Sequence, residues 1–96
     1  MKILIIEDEK ILSNTIKQYL SKKWIIEQAF DGYDGYMLAR EGFYDAIILD
    51  LMMPEMNGYD VLKRLRENDI KTPVLILTAK KVRVRWTNLG VSRVAG

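Results

Sequence analysis

Four short apolar runs recur at regular intervals along the chain, and they limit the possible folds more than any other feature of the sequence. The predicted strands cover residues 2–6, 24–29, 45–49 and 73–77. Between them, apolar side chains recur at helical spacing. The predicted helices cover about 9–22, 33–41 and 57–67. Alternating strands and helices with short links predict an α/β fold with a parallel sheet and right-handed crossovers.

Local signals suggest where the helices begin and end. Asp8 is a plausible N-cap for the first helix. The Asp31-Gly32 and Asp34-Gly35 pairs are typical of a turn before the second helix. Gly42 is expected to end that helix.

Polar side chains follow three of the predicted strands. Glu7 and Asp8 follow the first strand, Asp50 follows the third, and Thr78 follows the fourth. The carboxyl ends of parallel strands share one edge of the sheet, where open α/β sheets bind ligands. We therefore expect these side chains to converge if the three strands are neighbours. Burying an ionisable group within a strand is costly, so Asp50 should lie where its strand ends and the chain re-enters solvent.

The composition restricts the chemistry of such a site. The sequence has no cysteine and no histidine, which excludes thiolate and imidazole ligands from it. Clustered carboxylates repel one another, and an all-oxygen ligand set suits a hard cation such as Mg²⁺. A carboxylate beside such a cation can attack phosphorus and form an acyl phosphate. A nearby hydroxyl would help the cation to neutralise the transferring group.

Three motifs at matching spacing resemble the receiver domain of two-component response regulators, in the style of regulators that carry a winged-helix DNA-binding domain after the receiver. They are Glu7-Asp8, the segment from Asp50 to Gly58, and Thr78-Ala79. The resemblance covers about residues 1–80. It implies a flavodoxin-like doubly wound parallel sheet in the strand order 2-1-3-4. It also implies a phosphoacceptor protein, not an enzyme, whose partner is a sensor histidine kinase.

The resemblance implies a role for each matching residue. Asp50 would be the phosphoacceptor, and Thr78 would donate a hydrogen bond to the phosphoryl group and act in the switch. Asp8 and Asp50 would bind Mg²⁺ directly, Met52 would add its backbone carbonyl, and Glu7 would contribute through water.

The sequence departs from the family pattern after about residue 80. The family has a lysine and a switch aromatic beyond the threonine, together with a fifth strand and a fifth helix, and none of these is matched here. We therefore divide the chain into an incomplete receiver domain, residues 1–80, and a divergent basic tail, residues 81–96, as a truncated or altered ending would produce. Lys80 is a candidate substitute for the lysine. We expect intact Mg²⁺ binding, slow phosphorylation and impaired output.

The tail differs from the body in charge and in pattern. All 13 acidic residues lie within residues 1–78. The last eighteen residues have only basic charges: Lys80, Lys81, Arg83, Arg85 and Arg93. Residues 82–86 alternate apolar and basic at the period of a strand. The tail is therefore a solvated end, a replacement strand or self-association element, or a weak nucleic-acid contact.

The missing fifth strand would leave the fourth as an exposed edge, and such edges pair with other chains. This predicts a homodimer or a strand-swapped assembly. The alternative function is a non-signalling receiver that acts only as a self-associating or interaction module. The sequence shows no DNA-binding domain, export signal or membrane span, and the cytoplasm is the expected location.

Overall fold

Six strands and three helices form the part of the chain that the computed structural model describes, namely residues 1–78, 83–88 and 91–95, with side chains as far as Leu77. The strands are β1 (Lys2–Ile6), β2 (Ile25–Ala29), β3 (Ala46–Asp50), β4 (Val74–Thr78), β5 (Arg83–Asn88) and β6 (Val91–Ala95). The helices are α1 (Lys10–Leu20), α2 (Gly32–Glu41) and α3 (Gly58–Glu67).

The first four strands form the parallel sheet that the sequence predicts. The strand order is β2-β1-β3-β4-β5-β6. β1 pairs in parallel with β2 and β3, and β3 pairs in parallel with β4. The predicted order 2-1-3-4 is therefore confirmed. Because all three pairings are parallel, the carboxyl ends of these four strands lie at one edge of the sheet.

Helices cover both faces of this sheet. Alternate residues of a strand face opposite sides, and those of β1 pack into two different clusters. Leu4 and Ile6 of β1 belong to a large buried cluster that includes Val61 and Leu65 of α3. The intervening residue Ile5 belongs to a second cluster. That cluster also contains Ile3, Ile26 and Ile48, with Ile16 and Leu20 of α1 packed against it. Burial on both faces explains why the strands are nearly continuous apolar runs.

The start of α1 differs from the prediction. Glu9, and not Asp8, is the N-cap residue, and its side chain makes no capping hydrogen bond. Asp8 therefore lies one residue before the N-cap, outside the helix, and remains available to the carboxyl edge of the sheet.

The start of α2 also differs, whereas its end is as predicted. Asp31 is its N-cap, and its carboxylate accepts a hydrogen bond from the backbone N–H of Asp34 at 2.7 Å. Asp34 and Gly35 are thus part of the helix and not of a turn. Glycine is needed at position 35 because a Cβ there would lie 2.6 Å from Cγ2 of Ile6. Gly42 is the C-cap, as the sequence predicts.

The alternating segment after β4 forms a strand of the same sheet. β5 pairs antiparallel with β4, and β6 pairs antiparallel with β5. The prediction that β4 is an exposed edge is therefore wrong. The backbone groups of β4 find partners within the same chain, which avoids the loss of translational freedom that a second chain would require. Within the described sheet, the outer strands are β2 and β6.

In the ranges that the structure describes, no helix combines the length and the apolar character needed to cross a bilayer.

Candidate functional site

Three carboxylates meet at the carboxyl edge of the sheet. Glu7 and Asp8 directly follow β1, and Asp50 is the last residue of the neighbouring strand β3. One oxygen of each carboxylate lies within 4.8 Å of the others. The parallel pairing of β1 with β3 brings them together. The sequence prediction that these three side chains converge is therefore confirmed.

The fourth predicted member, Thr78, is placed by its backbone. Thr78 is the last residue of β4 and directly follows Leu77, which is paired with Asp50 in the sheet. The backbone of Thr78 thus lies at the same edge, one strand from Asp50. Its side chain is outside the described part, so its predicted contact with a phosphoryl group stays a prediction.

Asp50 is more deeply buried than the sequence suggests. We expected the chain to re-enter solvent at this residue, but Asp50 is only 2% exposed. Strand pairing continues past it, because the backbone N–H of Leu51 donates to the carbonyl of Leu77 at 3.2 Å. Met53 and Met56 of the following loop are also buried. The loop therefore folds back over the end of β3.

Gly58 allows the start of α3 to lie directly against β3. Its backbone N–H donates to the carbonyl of Leu51 at 3.2 Å. A Cβ at this position would lie 2.3 Å from the carbonyl oxygen of Asp50. The Asn-Gly pair has two separate functions here, since the Asn57 side chain caps α3 by accepting from the N–H of Asp60 at 3.0 Å.

Backbone N–H groups hold two of the three carboxylates in place. Oδ1 of Asp50 accepts a hydrogen bond from the N–H of Met52 at 3.0 Å. Oε2 of Glu7 accepts one from the N–H of Glu9 at 3.2 Å. The role predicted for Met52 is through its carbonyl, which stays a prediction; the role of its N–H was not predicted. Neither bond has a signature in residue type, because both donors are backbone groups.

The electrostatics of the cluster are unfavourable without a counter-ion. Glu7, like Asp50, is 2% exposed, whereas Asp8 is more accessible. Burial, together with the adjacent Asp50 carboxyl group, raises the pKa of Glu7 to about 8. A buried all-oxygen set with excess negative charge is suited to Mg²⁺, which prefers carboxylates and takes few protein ligands. The residues present therefore fit a hard divalent cation.

The backbone of the first residue of β5 also lies at this edge. Arg83, the first residue of β5, is paired with Thr78. Lys80, the basic residue that the sequence suggests for the site, lies outside the described residues. The strand alternation over residues 82–86 was visible in the sequence, but the partner of that strand and its direction were not.

A family model and curated relatives match most of the chain. The model described as "Response regulator receiver domain" matches residues 3–94. CiaR, a transcriptional regulatory protein of Streptococcus pneumoniae, is 52% identical over 81 residues, which are 84% of this chain and 36% of that protein. CusR, a transcriptional regulatory protein of Escherichia coli, is 42% identical over 80 residues, 82% of this chain and 35% of that protein. The chain spans about a third of the length of these relatives.

Solved structures show the same architecture. The receiver domain of the Francisella response regulator 1452 superposes with a TM-score of 0.79 at 37% identity and covers 83% of this chain and 67% of its own. The response regulator protein TrrA of Thermotoga maritima, in complex with Mg²⁺-BeF, superposes with a TM-score of 0.77 at 28% identity. That match covers 83% of this chain and 70% of the other.

Proposed function

The chain belongs to the response regulator receiver family, and on that premise we propose that it accepts a phosphoryl group on Asp50 from a sensor histidine kinase, with Mg²⁺ bound beside it. The observation that carries this proposal is the convergence of Glu7, Asp8 and Asp50 within 4.8 Å at the carboxyl edge of the sheet. Three buried or half-buried carboxylates this close repel one another unless one of them is protonated or a cation binds.

Asp50 is the best placed of the three to act as the nucleophile. It is part of a strand, and the N–H of Met52 fixes one of its oxygens. A carboxylate oxygen of Asp50 attacks phosphorus, the phosphorus–nitrogen bond of a phosphohistidine breaks, and the electron pair returns to the imidazole. Glu7 is a poorer nucleophile, because its raised pKa keeps it protonated near neutral pH in the absence of a cation.

The remaining carboxylates are suited to hold the metal. Asp8 and Asp50 would bind Mg²⁺ directly with the backbone carbonyl of Met52, and Glu7 would act through water. When bound, Mg²⁺ supplies positive charge to the transferring phosphoryl group. The TrrA structure, described as a complex with Mg²⁺-BeF, supports this proposal by similarity.

The proposal includes slow phosphorylation of Asp50 and an impaired structural response to it. Thr78 would donate a hydrogen bond to the phosphoryl group. Its backbone lies in a strand that pairs on both sides, with β3 and with β5. A switch that moves the backbone of Thr78 must disturb its pairing with Arg83, which opposes the movement. The domain is a phosphoacceptor and not an enzyme, with at most slow self-phosphorylation and self-dephosphorylation, and we place it in the cytoplasm with the kinase domain.

Labelling by acetyl phosphate in Mg²⁺ tests the proposal, with intact mass spectrometry as the readout. The wild-type chain should gain one phosphoryl group, and Asp50→Asn should gain none. Glu41→Gln is a matched control, because Glu41 is an exposed carboxylate at the end of α2. It should label like the wild type. Labelling of Asp50→Asn, or no labelling of the wild type, would refute the proposal.

The second candidate function is a self-associating module. It is favoured by β6, which has a neighbour on one side only within the described sheet. An outer strand offers unpaired backbone groups to another chain. Light scattering with and without acetyl phosphate separates the candidates. A dimer whose mass does not respond to acetyl phosphate favours the second, and a phosphorylation-dependent change in mass favours the first.

A further inference from the structure

Two consecutive residues at the carboxyl end of β2 hold both ends of the acidic loop, residues 7–9, that joins β1 to α1. At the start of the loop, the backbone N–H of Glu7 donates to the carbonyl of Ala29 at 3.1 Å. Beyond its far end, the side chain of Gln28 contacts α1. The bond to Ala29 continues the pairing of β1 with β2, whereas the contact of Gln28 depends on its side-chain type.

The amide group of Gln28 binds α1 through two hydrogen bonds. Its Nε2 donates to Oγ of Ser13 at 2.9 Å and to Oδ1 of Asn14 at 2.8 Å. A primary amide has two N–H donors, and these bonds use both of them. Gln28 lies on the face of β2 that α1 covers, because its β1 partner, Ile5, belongs to the cluster against which α1 packs.

The start of α1 has no side-chain cap of its own. The N-cap residue Glu9 makes no capping hydrogen bond with its side chain. A capping side chain normally stabilises the first turn of a helix. Here the bonds from Gln28 tie this end of α1 to the sheet instead.

A chain of hydrogen bonds leads from Gln28 to the carboxylate of Glu7. Beyond the Ser13 hydroxyl, the backbone N–H of Ser13 donates to the carbonyl of Glu9 at 3.0 Å. The N–H of Glu9 in turn donates to Oε2 of Glu7 at 3.2 Å. A shift of α1 would therefore move the group that holds the Glu7 carboxylate, and it would move Asp8, which lies between the two.

We propose that Gln28 is a positioning residue for the divalent cation. It holds α1 on β2, so that Glu7 and Asp8 keep the short separation from Asp50 that suits an ion. The inference rests on the proposed function and adds to it a residue that is not itself a ligand. A residue that orients metal ligands through hydrogen bonds raises metal affinity, because the ligands then need no rearrangement.

The neighbouring residue of β2 provides a matched control. Glu27 faces the opposite side of the sheet, since its β1 partner, Leu4, belongs to the other buried cluster. Its carboxylate accepts a hydrogen bond from the Tyr44 hydroxyl at 2.6 Å. Tyr44 precedes β3 and thus lies at the amino end of that strand, away from the carboxylates. Tyr44→Phe therefore removes a side-chain hydrogen bond of β2 without touching the start of α1.

The experiment compares Gln28→Met, Ser13→Ala, the double variant and Tyr44→Phe with the wild-type chain. Calorimetry measures the affinity for Mg²⁺ at one pH, and urea unfolding in EDTA measures the stability. Methionine resembles glutamine in length but has no N–H donor, so Gln28→Met should lose about tenfold in Mg²⁺ affinity. Ser13→Ala should lose part of this. The double variant should lose no more than Gln28→Met, because both changes break the same chain of bonds.

The control and a spectroscopic readout separate positioning from stability. Tyr44→Phe should lose about 1 kcal/mol of stability, yet its Mg²⁺ affinity should stay within about twofold of the wild type. In nuclear magnetic resonance spectra, the amide proton of Glu9 should move upfield in Gln28→Met, because its bond to Glu7 lengthens. The same proton should not move in Tyr44→Phe.

The two proposals fail in different ways. Unchanged Mg²⁺ affinity in Gln28→Met, an equal loss in Tyr44→Phe, or a Glu9 amide proton that does not move in Gln28→Met would each overturn the role of Gln28. Absence of Mg²⁺ binding by the wild type would overturn that role together with the proposed metal site. A wild type that binds Mg²⁺ but is not labelled by acetyl phosphate refutes the phosphoacceptor function, and the Mg²⁺ affinities still decide the role of Gln28.

Discussion

Replacing Asp50 by asparagine should stabilise the protein when no divalent cation is present. The change removes one negative charge from a group whose oxygens lie within 4.8 Å of one another. Because Glu7 is protonated near neutral pH in the absence of a cation, the repulsion that the change removes is that between Asp50 and Asp8. Two like charges 4.8 Å apart repel by about 1 kcal/mol at the dielectric constant of water and by about 3.5 kcal/mol at an effective dielectric constant of about 20. The asparagine Oδ1 can still accept the hydrogen bond that Met52 donates to Asp50. The net gain should therefore be about 1–3 kcal/mol near neutral pH.

Thermal and urea unfolding in the presence of EDTA measures this gain. For a domain of this size, each kcal/mol raises the unfolding midpoint by roughly 4–8 °C. Millimolar Mg²⁺ should stabilise the wild type more than Asp50→Asn, because a ligand that binds only the folded state raises its stability. The advantage of the variant should therefore shrink or reverse when Mg²⁺ is added.

Glu41→Gln is the control for a general effect of charge. It removes an exposed carboxylate at the end of α2, where the chain leads to the amino end of β3 and not to the carboxyl edge that holds the cluster, and it should change the stability by less than about 0.5 kcal/mol. If Asp50→Asn is no more stable than Glu41→Gln in EDTA, or if Mg²⁺ stabilises both equally, repulsion among these carboxylates does not limit the stability of the fold.

Three further predictions follow from single residues. The pKa of Glu7 is raised to about 8, so the folded state retains a proton that the unfolded state loses; stability should fall as the pH rises from about 4.5 to about 8, and Glu7→Gln should flatten that slope in urea titrations. Gly58→Ala should cost about 2 kcal/mol or more by urea unfolding because of the Asp50 carbonyl contact, whereas a glycine-to-alanine change in an exposed helix position gains stability. Burial raises the pKa of Tyr44 to about 12, together with the hydrogen bond that its hydroxyl donates to Glu27 at 2.6 Å. Tyr44→Phe should therefore lose about 1 kcal/mol in urea unfolding, and the phenol ionisation near pH 12 in an ultraviolet titration of the wild type should be absent from this variant.

The parallel part of the fold was predictable because its signals are local. An apolar run of four or five residues can satisfy both faces of a buried strand, and three helical stretches separate the runs. The positions of Glu7, Asp8 and Asp50 then follow from topology, since parallel strands end at a common edge. The burial of Asp50 was not predictable in this way. It depends on how Met53 and Met56 fold back over β3, which is a tertiary effect.

The helix starts and the last strands show where local signals are ambiguous. An Asp-Gly pair is typical of a turn, but both pairs have another role here. Asp31 is the N-cap of α2, and Gly35 lets this helix pack closely against Ile6. Alternation over residues 82–86 predicts a strand, and β5 confirms it. Alternation does not indicate whether that strand pairs with β4 or with a second chain. The segment of β6 carried no strand prediction at all.

The change of strand direction between β4 and β5 divides the sheet into a parallel part and an antiparallel part, which should form at different rates. β4, β5 and β6 are neighbours in sequence and pair as an antiparallel meander, so Thr78 meets Arg83 after a short chain closure. By contrast, Ile3 of β1 must meet Ala46 of β3 across two intervening helices and a strand. Long closures cost more entropy before any contact forms, and they slow folding. The parallel half should therefore limit the folding rate, and substitutions in β5, whose contacts with β4 form before that step, should mainly change the rate of folding.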